Sequence, residues 1–158
     1  MMKHNYLNIY NNLIKLTRNK NLYLNLEKKD TFSDRLIFLF IHLALFFRRF
    51  KTEIHKNELQ ELFDFIVRQI ELSIREIGYG DVTVNKKMKE FVNLFYTILN
   101  HIESLEFKKQ GINLSIFVNY VNIEKNIDFY DDYFTKYRNF LSKNTLNNFT
   151  KDIINFNF

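Results

Sequence analysis

The sequence predicts an all-α protein: a single-domain, irregular bundle of about six helices. Three observations carry that expectation. Apolar residues recur at helical spacing through most of the chain, whereas two-residue alternation and hairpin turns dominate nowhere. The chain holds only three glycines and no proline, so it has few positions that break a helix. Its 158 residues, 46% hydrophobic and 17% aromatic, can bury a core without disulfides or metal.

The first element is a short amphipathic helix marked by Leu7, Ile9, Tyr10, Leu13, Ile14 and Leu16. Asn19 to Asp30 is polar and reads as a connection, anchored by Tyr23, Leu24 and Leu26. Residues 1–30 are therefore expected to pack as an N-terminal segment on a main helical domain at 31–158.

The second helix starts near Thr31 or Ser33, either of which can cap it, and runs to Arg49. It is apolar on every side. A membrane span needs about 20 apolar residues. This run is shorter, is interrupted by His42 and has arginines at both ends, so it reads as the central buried helix of the bundle. Arg35, His42 and Arg49 are spaced by seven and project from nearly one side. A polar line on such a helix must find partners, and the structural expectation for His42 is a bond to a carboxylate, tyrosine or backbone carbonyl.

The third helix covers Glu58 to Ile77 with a stripe of Leu59, Leu62, Phe63, Ile66, Ile70, Ile74 and Ile77. Asp64, Arg68, Glu71 and Arg75 alternate in charge along another side and permit a ladder of ion pairs. Next comes the joint around which the functional reading is organised, Arg75-Glu76-Ile77-Gly78-Tyr79-Gly80-Asp81-Val82. Gly78 stands where a left-handed residue can end the helix, and Asp81 or Thr83 can cap the following one.

The fourth helix is expected from about Val84 to Glu106, with Lys86, Lys87 and Lys89 near its start, where they oppose the helix dipole. Its inward positions read as Val84, Met88, Phe91, Val92, Phe95, Leu99, Ile102 and Leu105. Ile112 to Ile123 suggests a fifth helix, although its β-branched content leaves a strand open. Asp128 to Leu141 returns to helical spacing. Thr145 stands before a last short helix containing Leu146, Phe149 and Ile153.

Composition excludes several classes. With no cysteine there is no disulfide framework, thiolate nucleophile or cysteine-type zinc site. His4, His42, His55 and His101 stand far apart, and none has a partner at metal-ligand spacing, so no metal site is expected. An enzyme would need His42 with Asp64 or Glu76 assembled across helices as acid and base, and a haem between His42 and His101 has only their presence behind it. No catalytic residue and no cofactor are assigned. The asparagine runs suit an AT-rich genome and are set aside as functional signals.

The net charge of +5 is uneven: residues 1–57 carry 11 Lys and Arg against 4 Asp and Glu, and the remainder carries 12 against 14. That asymmetry suggests an anionic partner for the first third, such as nucleic acid, ribosome or acidic lipid headgroups. No secretory signal is read in the opening residues.

With these elements in place, the central block resembles the ubiquinol-cytochrome c chaperone family, the assembly factors of the cytochrome bc1 complex. The likeness runs from Arg35 to about Leu105. An arginine opens an apolar helix with a histidine in its centre and a closing Arg-Arg, here Arg35, His42, Arg48 and Arg49. A Leu-Phe-Asp element follows at Leu62-Phe63-Asp64, then the joint at Ile74-Arg75-Glu76-Ile77-Gly78-Tyr79-Gly80-Asp81. Val84, Lys86, Lys89, Phe95 and Tyr96 match the next helix. The chain departs from the pattern at Ile37, Gln69, Asn85 and Thr97-Ile98.

The resemblance implies a non-catalytic chaperone that binds newly made cytochrome b, apo or partly haemylated, until its partner subunits arrive. It implies no small-molecule substrate. It further implies a small helical co-chaperone and the ribosome as partners, beside an anionic membrane surface. The location would be cytoplasmic and peripheral to the inner membrane in a bacterium, or the matrix side of the mitochondrial inner membrane. On this reading Arg48, Arg49, Arg75, Glu76, Asp81, Lys86, Lys89 and Tyr96 face the client, while His42, Asp64, Gly78 and Gly80 are structural. A basic helical protein that binds nucleic acid or the ribosome is the alternative.

Overall fold

The computed structural model of the chain describes residues 5–24, 26, 31–104 and 127–151. Those residues form six helices packed together, with no sheet among them: α1 (Tyr6–Thr17), α2 (Phe32–Phe50), α3 (Lys56–Ile77), α4 (Asp81–Ser104), α5 (Ile127–Lys143) and α6 (Leu146–Lys151).

The centre is α2. Thr31 caps it through a reciprocal box: the Thr31 hydroxyl accepts from the Asp34 amide at 3.2 Å, and the Asp34 carboxylate accepts from the Thr31 amide at 3.4 Å. Every residue from Leu36 to Phe47 is buried, because α1, α4 and α5 all pack against this helix. Each large apolar side chain so enclosed contributes about 1.5–3 kcal/mol relative to exposure. Aromatic rings fill the seams. Phe38 meets Tyr23 edge-on and stacks on Tyr130, Phe40 meets Phe95, and Phe46 meets Phe149.

Two members of the polar line on α2 meet α5. His42 faces Tyr133 and Tyr137 there, and Arg49 donates to the Leu141 carbonyl at 3.2 Å. These contacts, with Phe38 against Tyr130, advance together along both chains, so α2 and α5 run parallel. Helices α3 and α4 form an antiparallel hairpin joined at Gly78 to Gly80.

Several expectations need correction. α4 begins at Asp81, ahead of the expected Val84, so Asp81 lies in the first turn and favours the dipole. Lys86, Lys87 and Lys89 then fall beyond that turn and impose little cost there. Leu24 is exposed, and the connection is anchored by Leu22 with Tyr23 and Leu26 instead. Ile98 is fully buried in α4 although the expected stripe passed it by, while Ile77 leaves the α3 stripe for solvent. α3 begins at Lys56 with the His55 imidazole accepting from the Asn57 amide at 3.3 Å. The expected fifth helix at Ile112 to Ile123, together with Leu105 and Ile153, lies outside the described residues.

The asparagines are not mere composition. Asn12 is fully buried on α1 and donates to the Phe149 carbonyl at 3.0 Å, and Asn8 donates to the Thr150 carbonyl at 2.9 Å. Both bond carbonyls near the end of α6. α1 is thereby tied to α6 as well as to α2.

Candidate functional site

The α3–α4 hairpin carries most of the residues expected to face a client. Its two ends differ in what they offer. At the elbow, Gly78 ends α3 with φ of 106°, and its amide donates to the Arg75 carbonyl at 3.0 Å. A side chain at that φ is strained whatever the space around it. Gly80 has no such φ, and an added Cβ would meet nothing within 4 Å, so the backbone does not require glycine there.

Arg75 bridges the two arms. Its guanidinium donates to Asp81 at 2.5 Å and to Glu71 at 3.1 Å, and these bonds hold its pKa further up. The ladder expected on α3 thus forms at its Glu71–Arg75 rung. Asp64 instead accepts from Gln60 one turn earlier, at 2.9 Å, a bond within its own helix that pins no second element.

Every residue from Arg75 to Thr83 is exposed, including three large apolar ones. Ile77 is 56% accessible, Tyr79 44% and Val82 85%. The first residue of α2, Phe32, packs on Phe91 and shares a pocket with Ser73, which places the elbow beyond the start of α2. Lys87 sits over the Tyr79 ring at 4.9 Å. Farther along α4, Met88, Lys89, Val92 and Asn93 line a shallow groove of about 430 Å³. Tyr96 continues that side at helical spacing and touches the Phe63 ring of α3 with centroids 5.6 Å apart.

Arg48 and Arg49 lie at the other end. Arg48 donates to the Ile102 carbonyl near the end of α4, and burial lowers its pKa. Arg49 pairs with Glu53 at 2.6 Å besides bonding the Leu141 carbonyl, and Lys51 pairs with Glu103 at 2.6 Å. Cations at helix C-termini complement the dipole and satisfy unpaired carbonyls. At about 1.5 Å of rise per residue, the stretch of α4 from Asp81 to Ile102 is about 30 Å long. The structure therefore brings Arg75, Glu76, Asp81, Lys86 and Lys89 together near the elbow, sets Tyr96 farther along α4, and separates Arg48 and Arg49 from them. The sequence set had joined both ends because their spacing in the chain says nothing of which way each helix runs.

His42 is fully buried with both ring nitrogens engaged. The Phe38 carbonyl, 2.6 Å from Nδ1, can only accept, so Nδ1 carries the proton and Nε2 accepts from the Tyr133 hydroxyl at 2.8 Å. Burial lowers the His42 pKa to about 4 and raises that of Tyr133. The ring is neutral. Ile77, Tyr79 and Val82, absent from the sequence-based set, are the elbow's most exposed apolar groups; the signal available was Tyr79 and Val82, apolar residues of the turn that belong to no core stripe, whereas Ile77 reads as the end of the α3 stripe.

Fold and surface define a helical bundle whose α3–α4 hairpin is packed into the core and exposes its elbow. No described helix is long and apolar enough to cross a membrane. Residues 25–115 match the family model described as ubiquinol-cytochrome C chaperone, which covers more than half of the chain. The chain belongs to the ubiquinol-cytochrome c chaperone family, and membership implies a non-catalytic role in assembling the bc1 complex. No curated protein and no solved structure matches the chain significantly.

Proposed function

We propose that this chain binds newly made cytochrome b and holds it during bc1 assembly, with the elbow of the α3–α4 hairpin as the gripping surface. The observation that carries this reading is the cluster of Ile77, Tyr79 and Val82, exposed together at the elbow and flanked by charged residues. Exposed apolar groups rimmed by polar ones mark a protein interface. Between Asp64 and Glu90 the hairpin holds five basic and five acidic residues. A balanced surface of that kind suits a protein client better than a polyanion, which favours cytochrome b over the nucleic-acid alternative.

Arg75, Glu76, Asp81, Lys86 and Lys89 frame the tip, and Tyr96 extends the contact along α4. Arg48 and Arg49 act at a distance by holding the far ends of α4 and α5. The work takes place beside the membrane that receives cytochrome b, on the cytoplasmic side in a bacterium or the matrix side in a mitochondrion. A small helical co-chaperone and the ribosome fit this place as further partners.

The test is capture of cytochrome b by tagged protein from cells making the bc1 complex. Replacing Ile77 and Val82 with serine is expected to leave the melting temperature unchanged and to reduce captured cytochrome b about tenfold, as loss of interface anchors does. Undiminished capture by the folded double variant would refute the elbow as the gripping surface.

A further inference from the structure

A second feature lies away from the elbow's tip, on the side of the molecule where α1, the start of α2 and α3 meet. It is a pocket of about 230 Å³. Its floor is apolar, made by Leu36, Leu39 and Ile70, with Ile14 in the wall, and its mouth carries Arg18 and Arg35. An apolar cavity of about 150 Å³ already takes up benzene, so this one has room for an alkyl chain. It has none for a helix, whose diameter with side chains is about 10 Å.

Both arginines are exposed at the mouth, and no acidic side chain is among the described residues lining the pocket. Arg18 acts on the pocket interior as well. Burial raises the Tyr10 pKa, and the Arg18 charge works against that rise, so its field reaches the phenol inside the pocket. A guanidinium has five donors in a planar fork, which suits a carboxylate or phosphate even where some donors are already used. The basic excess of the first third of the chain, which the elbow leaves unexplained, thus supplies the two arginines that share this rim.

We infer that the pocket between α1, α2 and α3 binds the alkyl chain of an anionic amphiphile, with the carboxylate or phosphate head held by Arg18 and Arg35. The shared chemistry is one chain below one anionic head. A free fatty acid and an acidic phospholipid both provide it.

The experiment is calorimetric titration of the full chain with dodecanoate below its critical micelle concentration, beside dodecyltrimethylammonium as the cationic counterpart. Dodecanoate is expected to bind one to one and about tenfold or more tighter than the cation, the size of one charge-assisted hydrogen bond. The double variant R18Q/R35Q is expected to lose that preference while keeping its melting temperature. Ile14→Trp, which fills the pocket from its partly exposed wall, is expected to abolish binding, and Ile14→Phe gives a second filling variant if tryptophan destabilises the fold. Vesicles of phosphatidylglycerol that compete with dodecanoate, where phosphatidylcholine vesicles do not, would identify a membrane lipid as the source. Absence of competition beside tight dodecanoate binding would identify a free fatty acid. Equal binding of both head groups, or binding untouched in a folded pocket-filling variant, would overturn the inference. So would the absence of saturable dodecanoate binding, and reduced cytochrome b capture by the Ile14 variant in that case would identify the occupant as a client side chain.

Discussion

The two ends of the α3–α4 hairpin use the same residue types for opposite purposes. At the far end, Arg48, Arg49 and Lys51 on and just beyond α2 reach across to α4 and α5, bonding two helix-end carbonyls and Glu103. At the elbow, Arg75 pairs with Asp81 and Glu71 on the hairpin itself, and apolar side chains stand in solvent beside them. One end closes the bundle; the other leaves a surface open. An arginine's role is thus set by what lies within its reach. A carbonyl at the end of a packed helix turns it inward, whereas at the elbow Arg75 pairs along its own hairpin and stays at the surface.

The buried seam behind the closed end gives the largest expected effect. The folded-state pKa of His42 lies near 4, below the 6.5 of an unperturbed histidine, so the unfolded chain takes up this proton first. Stability from this group is therefore complete above about pH 6.5 and falls as pH drops toward 4, by about 3 kcal/mol in all. Urea melts between pH 7 and 4 measure it. His42→Phe is expected to flatten that dependence while costing about 2 kcal/mol at neutral pH, because the buried Tyr133 hydroxyl loses its acceptor. An identical pH profile in the variant would mean that other groups govern the acid response.

The closed end itself comes next. Arg48→Met keeps the alkyl stem but leaves the Ile102 carbonyl without its cationic donor, and a loss of about 2 kcal/mol is expected. Cytochrome b capture by the folded fraction should be unchanged. A stable Arg48→Met protein that fails to capture would reverse the assignment, making that end part of the gripping surface.

How much of this was legible from residues differs between helix and surface. The cap at Thr31, the all-apolar α2 and the glycine joint follow from local chemistry, and the structure contains each of them. The family was equally legible, since ordered elements from Arg35 to Leu105 fall within the matched residues 25–115. Two kinds of fact escaped. Asn8 and Asn12 looked like compositional drift because their partners at the end of α6 lie more than 130 residues away. Arg48 and Arg75 looked like members of one surface because periodicity assigns each residue a side of its own helix and leaves open which end of a neighbour that side meets. Ile77 fell at the stripe's spacing, yet α3 outruns the helix it would have packed on.

The elbow's two glycines carry the last and smallest effects, and they separate shape from surface. Gly78→Val places a β-branched residue at a left-handed φ, costing about 1–2 kcal/mol with no clash, since nothing lies within 4 Å of the added Cβ. A thermal melt should show that loss, and capture should weaken with it because the tip is re-aimed. Gly80→Ala meets neither obstacle: its φ is ordinary and its surroundings are open. Stability should stay within about 0.5 kcal/mol of the parent, as for most surface changes. Capture is the sharper readout for this position. If one methyl group at Gly80 lowers captured cytochrome b while the melt is unmoved, the client must approach the backbone closely between Tyr79 and Asp81. If capture also stays level, contact rests on Ile77, Tyr79 and Val82 and their charged frame, and Gly80 serves only to space them.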